Sequence, residues 1–321
     1  MPKVYIQLTI AALIFATTAV FTQAQTALPS ITANPALPGA YESVTLRLTP
    51  ENVLQGTRIT WSSGNTVLRE GVGVTSISVN AGALGTKKQI TARFTDTTGD
   101  QAVVREANIT LTPADVDLIW EAESYVPPFY NGKALVPQEG AVKVVAIPHV
   151  AGESSDNLIY NWSYNGRNYA DRSGRGVTTF RLPTLPRRAT VEVEVSRANG
   201  TVIAQEVTQI QPQDSLVRVY RDHPLLGVVE SFALDSNVSF RSQEETFVAY
   251  PFYFSALSPQ EEALEYMWQV NGRAITGEDN VLTVRRERER VRATFSLSLS
   301  HRFSTFQRAL ADFVVTLRED E

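Results

Sequence analysis

The chain has 321 residues, enough for two or three domains, and its 43% hydrophobic and 20% charged content is ordinary for a folded protein. Its net charge of −5 argues against a nucleic-acid binder, which would usually carry a concentrated basic face. The absence of cysteine excludes disulfides, thiolate metal sites, a cysteine nucleophile and a lipidated cysteine.

Residues 1–24 have the pattern of a secretory signal peptide. Lys3 supplies the positive start, residues 4–21 are mostly apolar, and Thr22 and Ala24 are the small residues of a cleavage site. Because the apolar run is about 18 residues long, an uncleaved N-terminal membrane anchor is the alternative, and a buried helix is a third. The first two interpretations predict an exported protein, extracellular, periplasmic or at the cell surface, that meets a membrane only through residues 4–21 if they stay uncleaved.

Residues 25–113 have the strand pattern of a small β domain. Val44, Leu46 and Leu48 alternate with polar residues, as in a half-buried strand, and Trp61 follows in the segment Ile-Thr-Trp-Ser-Ser-Gly-Asn. The strands predicted in this part of the chain lie at 41–48, around Trp61, and at 74–79, 90–94 and 102–111.

Residues 114–211 repeat this order of parts. Their tryptophan segment, residues 160–167, reads Tyr-Asn-Trp-Ser-Tyr-Asn-Gly-Arg. The other strands predicted here lie at 116–120, 142–147, 178–182, 191–195 and 201–210.

Residues 212–321 form a third copy, whose tryptophan segment, residues 266–273, reads Tyr-Met-Trp-Gln-Val-Asn-Gly-Arg. A helix-start signal predicts one short helical turn at 258–265, and Pro251 predicts an edge or a bulge in the strand that contains it. The strands predicted here lie at 216–220, 246–255, around Trp268, and at 280–284, 294–299 and 309–317.

The spacing of the tryptophans sets the size of the repeat. Trp61, Trp162 and Trp268 are separated by 101 and 106 residues. A period of about 100 residues is that of one small β-sandwich per repeat. Because no more than a few residues separate the repeats, we expect a stiff rod and not beads on a flexible string.

The tryptophan segments have a structural interpretation. Alternation puts Tyr160, Trp162 and Tyr164 on one face of a strand, so we expect Trp61, Trp162 and Trp268 to be core residues. An exposed tryptophan that stacks on a sugar is the alternative.

The second and third tryptophan segments each contain an Asn-Gly pair after the tryptophan. Asn165-Gly166 and Asn271-Gly272 tolerate the positive φ angles of a tight hairpin, so both pairs are predicted to be structural turn residues.

The Tyr-x-Trp-x-x-Asn-Gly element and the strand order around it resemble bacterial immunoglobulin-like modules, in particular those near the polycystic-kidney-disease-type domains of prokaryotic surface proteins. The resemblance covers residues 25–321. It implies an all-β fold of three tandem immunoglobulin-like antiparallel β-sandwiches (25–113, 114–211 and 212–321), which would follow the N-terminal signal or anchor helix predicted above. Extracellular animal proteins of this build usually carry cysteine, so the absence of cysteine favours a bacterial or archaeal source.

No catalytic, cofactor-binding or metal-binding residue is predicted, and the protein is expected not to be an enzyme. The three histidines, at 149, 223 and 301, have no ligand-like spacing, and neither a nucleophile elbow nor a zinc-protease motif is present. A secreted hydrolase whose site the sequence does not reveal is the remaining enzymatic alternative.

Two groups of charged residues have a functional and a structural interpretation. Asp115, Asp117 and Asp214 lie where the repeats join and could help to hold Ca²⁺, although turn chemistry explains them as well. The arginine-rich run 285–292 could meet an anionic surface, or it could be a solvated loop.

The turn at 125–130 places Tyr125, Phe129 and Tyr130 within six residues. It is predicted to be either a partner surface for a protein or a glycan, or a cap on the interface with the first repeat.

Likeness to proteins of this build implies a non-catalytic structural or scaffolding component of the bacterial envelope or of a surface assembly. Its partners would be other envelope proteins or a surface glycan, with no nucleic acid. An adhesin-like module that binds a carbohydrate or protein is the alternative.

Overall fold

The structure, a computed structural model, describes residues 28–50, 54–96, 102–185, 187–239, 242–276, 279–285 and 292–316. The predicted signal or anchor segment, and residues 286–291 of the arginine-rich run, lie outside the described residues. Within the described part of the chain, no helix is long and apolar enough to span a membrane.

The described strands form six sheets, which face each other in pairs across three hydrophobic clusters. The clusters draw their buried residues from 44–111, 114–210 and 217–315, and we call the three pairs of sheets modules one, two and three.

Module one pairs a three-stranded sheet, in the order β1-β2-β5, with a four-stranded sheet, in the order β4-β3-β6-β7. Its strands are β1 (Ser30–Asn34), β2 (Ser43–Thr49), β3 (Arg58–Ser63), β4 (Thr66–Val72), β5 (Ser76–Asn80), β6 (Lys88–Asp96) and β7 (Val103–Leu111).

Module two has the same arrangement, with the orders β13-β9-β8 and β11-β10-β14-β15, and with β12 paired to β10. Its strands are β8 (Asp115–Ala122), β9 (Gly140–His149), β10 (Ile159–Tyr164), β11 (Arg167–Asn168), β12 (Gly174–Arg175), β13 (Thr179–Leu185), β14 (Ala189–Ser196) and β15 (Val202–Ile210).

Module three adds one short strand to each sheet, giving the orders β17-β16-β19-β22 and β18-β24-β23-β20-β21. Its strands are β16 (Leu216–His223), β17 (Gly227–Val228), β18 (Asn237–Ser239), β19 (Glu244–Phe252), β20 (Leu264–Val270), β21 (Arg273–Ile275), β22 (Val281–Arg285), β23 (Arg292–His301) and β24 (Ser304–Thr316). The pairing of β18 with β24 is parallel, and the other strand pairs of the module are antiparallel.

These strand orders confirm the predicted fold class of tandem immunoglobulin-like sandwiches, in which the chain crosses several times between two facing, mainly antiparallel sheets. Alternation produces the core directly: Val44, Leu46 and Leu48 of β2 are fully buried, and the residues between them face outward.

Several strands and one turn differ from the sequence prediction. The strands of two or three residues, β11, β12, β17, β18 and β21, were not predicted because they are too short to show a pattern. β1 and β4 were not predicted, because β1 is only half-buried and the side chains of β4 are almost all exposed, so neither shows a strong apolar alternation. In place of a helical turn at 258–265, two successive turns close with bonds from the Glu261 N–H to the Ser258 carbonyl (3.3 Å) and from the Leu264 N–H to the Glu261 carbonyl (2.9 Å). Leu264 is buried as the first residue of β20, which ends any helical geometry there.

Pro251 lies on β19, a central strand, but beyond the part of β19 that pairs with β22. It faces Val217 of β16 on one side, whereas the β22 pairing covers only Glu244 to Val248. The missing proline N–H is therefore accommodated at a locally open edge.

Each of the three repeated tryptophans fills the centre of its module. Trp61, Trp162 and Trp268 are 0%, 1% and 0% exposed. Burial of about 150–250 Å² per indole at about 25 cal/mol/Å² corresponds to roughly 4–6 kcal/mol of gross stabilisation.

The three indoles also make the same hydrogen bond. The Nε1–H groups of Trp61, Trp162 and Trp268 donate to the carbonyls of Val74 (2.8 Å), Val177 (2.9 Å) and Asp279 (2.9 Å). Each acceptor lies two residues before the last strand of the smaller sheet, β5, β13 or β22. The indole therefore ties the crossover segment between the two sheets to the centre of the core.

Each of the two Asn-Gly turns is hydrogen-bonded to the next strand of its sheet, β14 in module two and β23 in module three. Asn165 and Gly166 have φ angles of 48° and 76°, as a two-residue hairpin requires. The Asn165 N–H donates to the Thr190 carbonyl, and the Thr190 N–H donates to Asn165 Oδ1, both at 2.8 Å. Asn271 makes the same reciprocal pair with Thr294, at 2.8 and 3.0 Å.

We expect Trp162→Ala to destabilise module two by about 3–5 kcal/mol, because it removes a buried ring and leaves the Val177 carbonyl without its donor. Chemical denaturation followed by near-ultraviolet circular dichroism measures the change. Trp120→Ala is the matched control in the same module: Trp120 is half-buried beneath Lys133, at 3.2 Å from the ring centroid, and its loss should cost about 1 kcal/mol. Equal losses in the two variants would contradict the core role of Trp162.

Candidate functional site

The aromatic turn at 125–130 lies between β8 and β9 and packs against module three. The ring of Phe129 is 5.2 Å from that of Tyr220 and 5.1 Å from that of Tyr250, edge to face in both cases. The ring of Tyr130 is 5.6 Å from that of Phe252, again edge to face. We call this group of rings the aromatic junction; edge-to-face pairs of this kind add about 0.5–1.5 kcal/mol each beyond burial.

The prediction that this turn caps the interface with the first repeat is wrong. β8 begins at Asp115, just after module one, and runs the length of the sandwich, so the turn that follows it emerges at the opposite end. That end is where β15 finishes and the chain enters module three. Tyr125, Phe129 and Tyr130 are half-buried there, so the partner surface predicted on them is largely covered by the chain itself.

A buried amide lies beside the aromatic junction. Gln307 of β24 is 0% exposed, and its Nε2 donates to the Gln138 carbonyl (2.7 Å) and to Ser255 Oγ (2.9 Å). Its Oε1 accepts from the Ser255 N–H at 2.8 Å. The amide thus has partners on both modules, as a buried polar group requires.

The loop 136–139 of module two makes further polar contacts with its neighbour. Ser304 Oγ donates to Glu139 Oε2 at 2.9 Å, and Glu139 takes the left-handed φ of 58°. The Gln213 N–H donates to the Val136 carbonyl at 2.7 Å, which holds the short connection between β15 and β16. The two modules are therefore joined by packing and hydrogen bonds in addition to the chain.

Sequence reasoning missed Gln307, although a signal for it exists. In β24 the inward positions hold Gln307, Ala309 and Phe313, so Gln307 is a polar residue in a core register. A polar side chain in that register must find buried partners, and here the partners come from the next module.

The tyrosines around the aromatic junction have raised pKa values. Desolvation is the main cause for Tyr125, Tyr250 and Tyr266, and for Tyr250 the nearby Glu230 and Asp222 add to it. For Tyr253 the main cause is a hydrogen bond with Tyr130. These phenols are held in the neutral form, which suits an apolar contact.

Modules one and two meet through backbone contacts. The Gly85 N–H donates to the Pro113 carbonyl (3.0 Å), and the Ala114 N–H donates to the Pro38 carbonyl (3.3 Å). A Cβ on Gly85 would lie 2.1 Å from the Cβ of Ala151, so glycine permits this approach. A cleft of about 620 Å³ opens beside it, and the Arg197–Glu153 ion pair (2.6 Å) forms part of its wall.

The three aspartates considered for Ca²⁺ are not brought together. Asp115 Oδ1 accepts from the Val116 N–H, Asp117 pairs with Nε2 of His149, and Asp214 accepts from Gln138 at the other end of module two. Among the described residues, no group of three or more histidine or acidic side chains could hold a metal ion.

No protein-family model and no curated protein matches this chain. Among solved structures it is similar to the three N-terminal domains of the Highly Immunogenic Outer Capsid protein (Hoc) of bacteriophage RB49, at 12% identity over 92% of this chain and 99% of that one, with a TM-score of 0.25. It is also similar to the fibronectin(III)-like modules of Clostridium thermocellum CbhA, at 9% identity over 57% of this chain and 94% of that one, with a TM-score of 0.26.

A third similar structure is the Bacteroides ovatus mixed-linkage glucan utilization locus protein SGBP-B in complex with a mixed-linkage heptasaccharide. The identity is 12%, over 87% of this chain and 64% of that one, with a TM-score of 0.24. Likeness at this level carries no argument about function, and the fold class rests on the strand orders described above.

Gln307→Leu should destabilise module three and its junction by about 2–3 kcal/mol, because it leaves the Gln138 carbonyl and the Ser255 N–H buried without partners. Urea denaturation measures the loss. Gln269→Leu is the matched control, since Gln269 is exposed on β20 of the same sheet and its replacement should change stability by less than about 0.5 kcal/mol. A Gln307 variant as stable as this control would refute the role of the amide.

The aromatic junction should also open at alkaline pH. Because the folded pKa values of Tyr125 and Tyr250 are raised, the stabilisation is fully present below the ordinary value of about 10 and is lost as pH rises through the folded values. Tyrosinate absorbance and the spacing between modules two and three, followed together, measure this loss. Tyr250→Phe should shift the opening to higher pH, and identical titrations of the two proteins would contradict the prediction.

Proposed function

We propose that this protein is a non-catalytic scaffolding component of a bacterial envelope or surface assembly, exported by its N-terminal segment. In this role the three immunoglobulin-like modules hold their outer faces at set positions relative to one another. The proposal includes a relationship to the bacterial immunoglobulin-like modules found near polycystic-kidney-disease-type domains. The Tyr-x-Trp-x-x-Asn-Gly elements of the chain support this relationship.

The observation that carries the proposal is the built contact between modules two and three. The aromatic junction and the Gln307 amide hold the two sandwiches together. The chain between them is short, because β15 ends at Ile210 and β16 begins at Leu216. Modules that worked independently would need only a connecting chain. A buried, fully paired amide across two modules instead supports a fixed geometry.

A specific observation favours a second candidate, an adhesin-like module. Module three exposes several large apolar side chains, among them Phe303 (80% exposed) and Phe306 (64% exposed). Exposed aromatics of this kind suit contact with a protein or the face of a sugar ring. On this candidate the rigid junction would present module three to its ligand.

Distances between spin labels test the scaffold proposal directly. The chain has no cysteine of its own, so one cysteine introduced at Thr201 and one at Gln269, both exposed positions, carry the spin labels of modules two and three without ambiguity. We expect a narrow distance distribution that broadens in Phe129→Ala, because that variant removes two ring contacts of the aromatic junction. A broad distance distribution in the labelled chain that keeps Phe129 would overturn the proposal.

Location and partners need a separate readout. Fractionation of the source cells should place the protein outside the cytoplasm, and co-purification should recover it with other envelope components. The adhesin-like candidate predicts a glycan or protein ligand whose binding is lost in Phe303→Ser but kept in Phe129→Ala. Recovery of the chain in the cytoplasm would contradict both candidates.

A further inference from the structure

The long strand β24 has an open edge. β24 is the last strand of its sheet except at its end, where β18 pairs with Val314, Val315 and Thr316. Over the preceding residues, 304–313, no described strand pairs with the side of β24 that faces away from β23. An open edge is a template for another strand.

The backbone phase of this edge follows from one hydrogen bond. The Val314 N–H points away from β23, because it donates to the Ser236 carbonyl at 3.2 Å. Backbone groups alternate in direction along an antiparallel strand, so Asp312, Leu310 and Arg308 also turn their N–H and C=O groups toward the open edge. Pairing with β23 is regular over this stretch, which preserves the alternation.

The side chains of the same three residues lie on the outer face of the sheet. Leu310 is 72% exposed, and Arg308 and Asp312 are exposed on either side of it. The strand alongside, β23, presents only small side chains opposite them: Ser300, Ser298 and Ser296. The described residues form no ion pair with Arg308 or Asp312.

This order of side chains is complementary to itself. When two copies of β24 run antiparallel about a two-fold axis through Leu310, each Arg308 faces Asp312 of the other copy and the two Leu310 side chains meet at the axis. In a parallel arrangement Arg308 would face Arg308, and a slip of one residue would turn the outward side chains of one copy to the opposite face. Only the antiparallel register centred on Leu310 pairs every charge.

We infer that β24 is a homotypic contact site, through which two copies of the chain join their third modules into one continuous sheet over residues 308–312. Three residues on each copy supply backbone donors and acceptors, for about six interchain hydrogen bonds. The contact is small, so the association is weak in dilute solution and serves an array in which copies are already close. The inference goes beyond the proposed function and does not depend on where the protein is located.

Charge reversal tests the register. Sedimentation equilibrium of the purified full-length chain over a wide concentration range should show a monomer–dimer equilibrium. Arg308→Asp should face Asp312 with a second acid, and Asp312→Arg should face Arg308 with a second base, so each variant alone should dimerise about tenfold more weakly. An equimolar mixture of the two variants pairs every charge again and should recover the affinity of the unmodified chain as a heterodimer.

Two further variants separate the edge from the face. Leu310→Lys places like charges at the two-fold axis and should abolish the dimer. Met267→Lys changes an exposed residue (56% exposed) on the same face but on β20, away from the edge, and should leave the dimer intact. A cooperative thermal unfolding transition, measured for every variant, is the control that the variant is folded.

Three results would overturn the inference: a chain that is monomeric at every concentration, a dimer indifferent to the two charge reversals, or a dimer lost in Met267→Lys. The last would show that the exposed apolar face, and not the strand edge, makes the contact. Failure of the mixed variants to recover association would reject the register centred on Leu310.

Discussion

The architecture of every module depends on one hydrogen bond from an indole N–H. The tryptophan lies on the larger sheet of the sandwich, and the acceptor carbonyl lies just before a strand of the smaller sheet. Trp61, Trp162 and Trp268 stand on β3, β10 and β20 of the larger sheets, and their acceptors lead into β5, β13 and β22 of the smaller ones. The ring fills the space between the sheets while its one polar atom fixes where the chain crosses between them. Packing and hydrogen bonding therefore specify the same arrangement, which is the condition for a single well-defined fold.

The crossover that receives the indole has a local chemistry of its own. Residues 73–75 and 176–178 both read Gly-Val-Thr, with positive φ at Gly73 and Gly176. In both copies the glycine N–H donates to the residue just before the tryptophan strand, and the threonine carbonyl accepts from the central strand of the smaller sheet. This repeated tripeptide is a second sequence signature of modules one and two. The strands predicted at 74–79 and 178–182 begin inside it, whereas β5 and β13 begin just after it, at Ser76 and Thr179.

The junction between modules two and three combines the same two kinds of interaction at a larger scale. The rings of Phe129 and Tyr130 supply apolar contact, and the Gln307 amide supplies polar contact that is satisfied only when both modules are in place. Modules one and two meet instead through backbone bonds and a close approach at Gly85, beside an open cleft. The two junctions therefore differ in chemistry: among the described residues, aromatic rings pack across the junction of modules two and three and not across that of modules one and two.

The sequence alone determined what local periodicity and turn chemistry control. The alternation in β2 and β14, the Asn165-Gly166 hairpin and the inward side of the tryptophan strands are each set within a few residues, so the pattern predicts them. Tertiary structure decided which end of a sandwich each turn occupies, and hence that Tyr125, Phe129 and Tyr130 meet module three. It also decided the partners of Gln307 and the open edge of β24. These contacts join residues up to 169 positions apart, and they depend on where strands emerge from a folded sandwich, which no local pattern encodes.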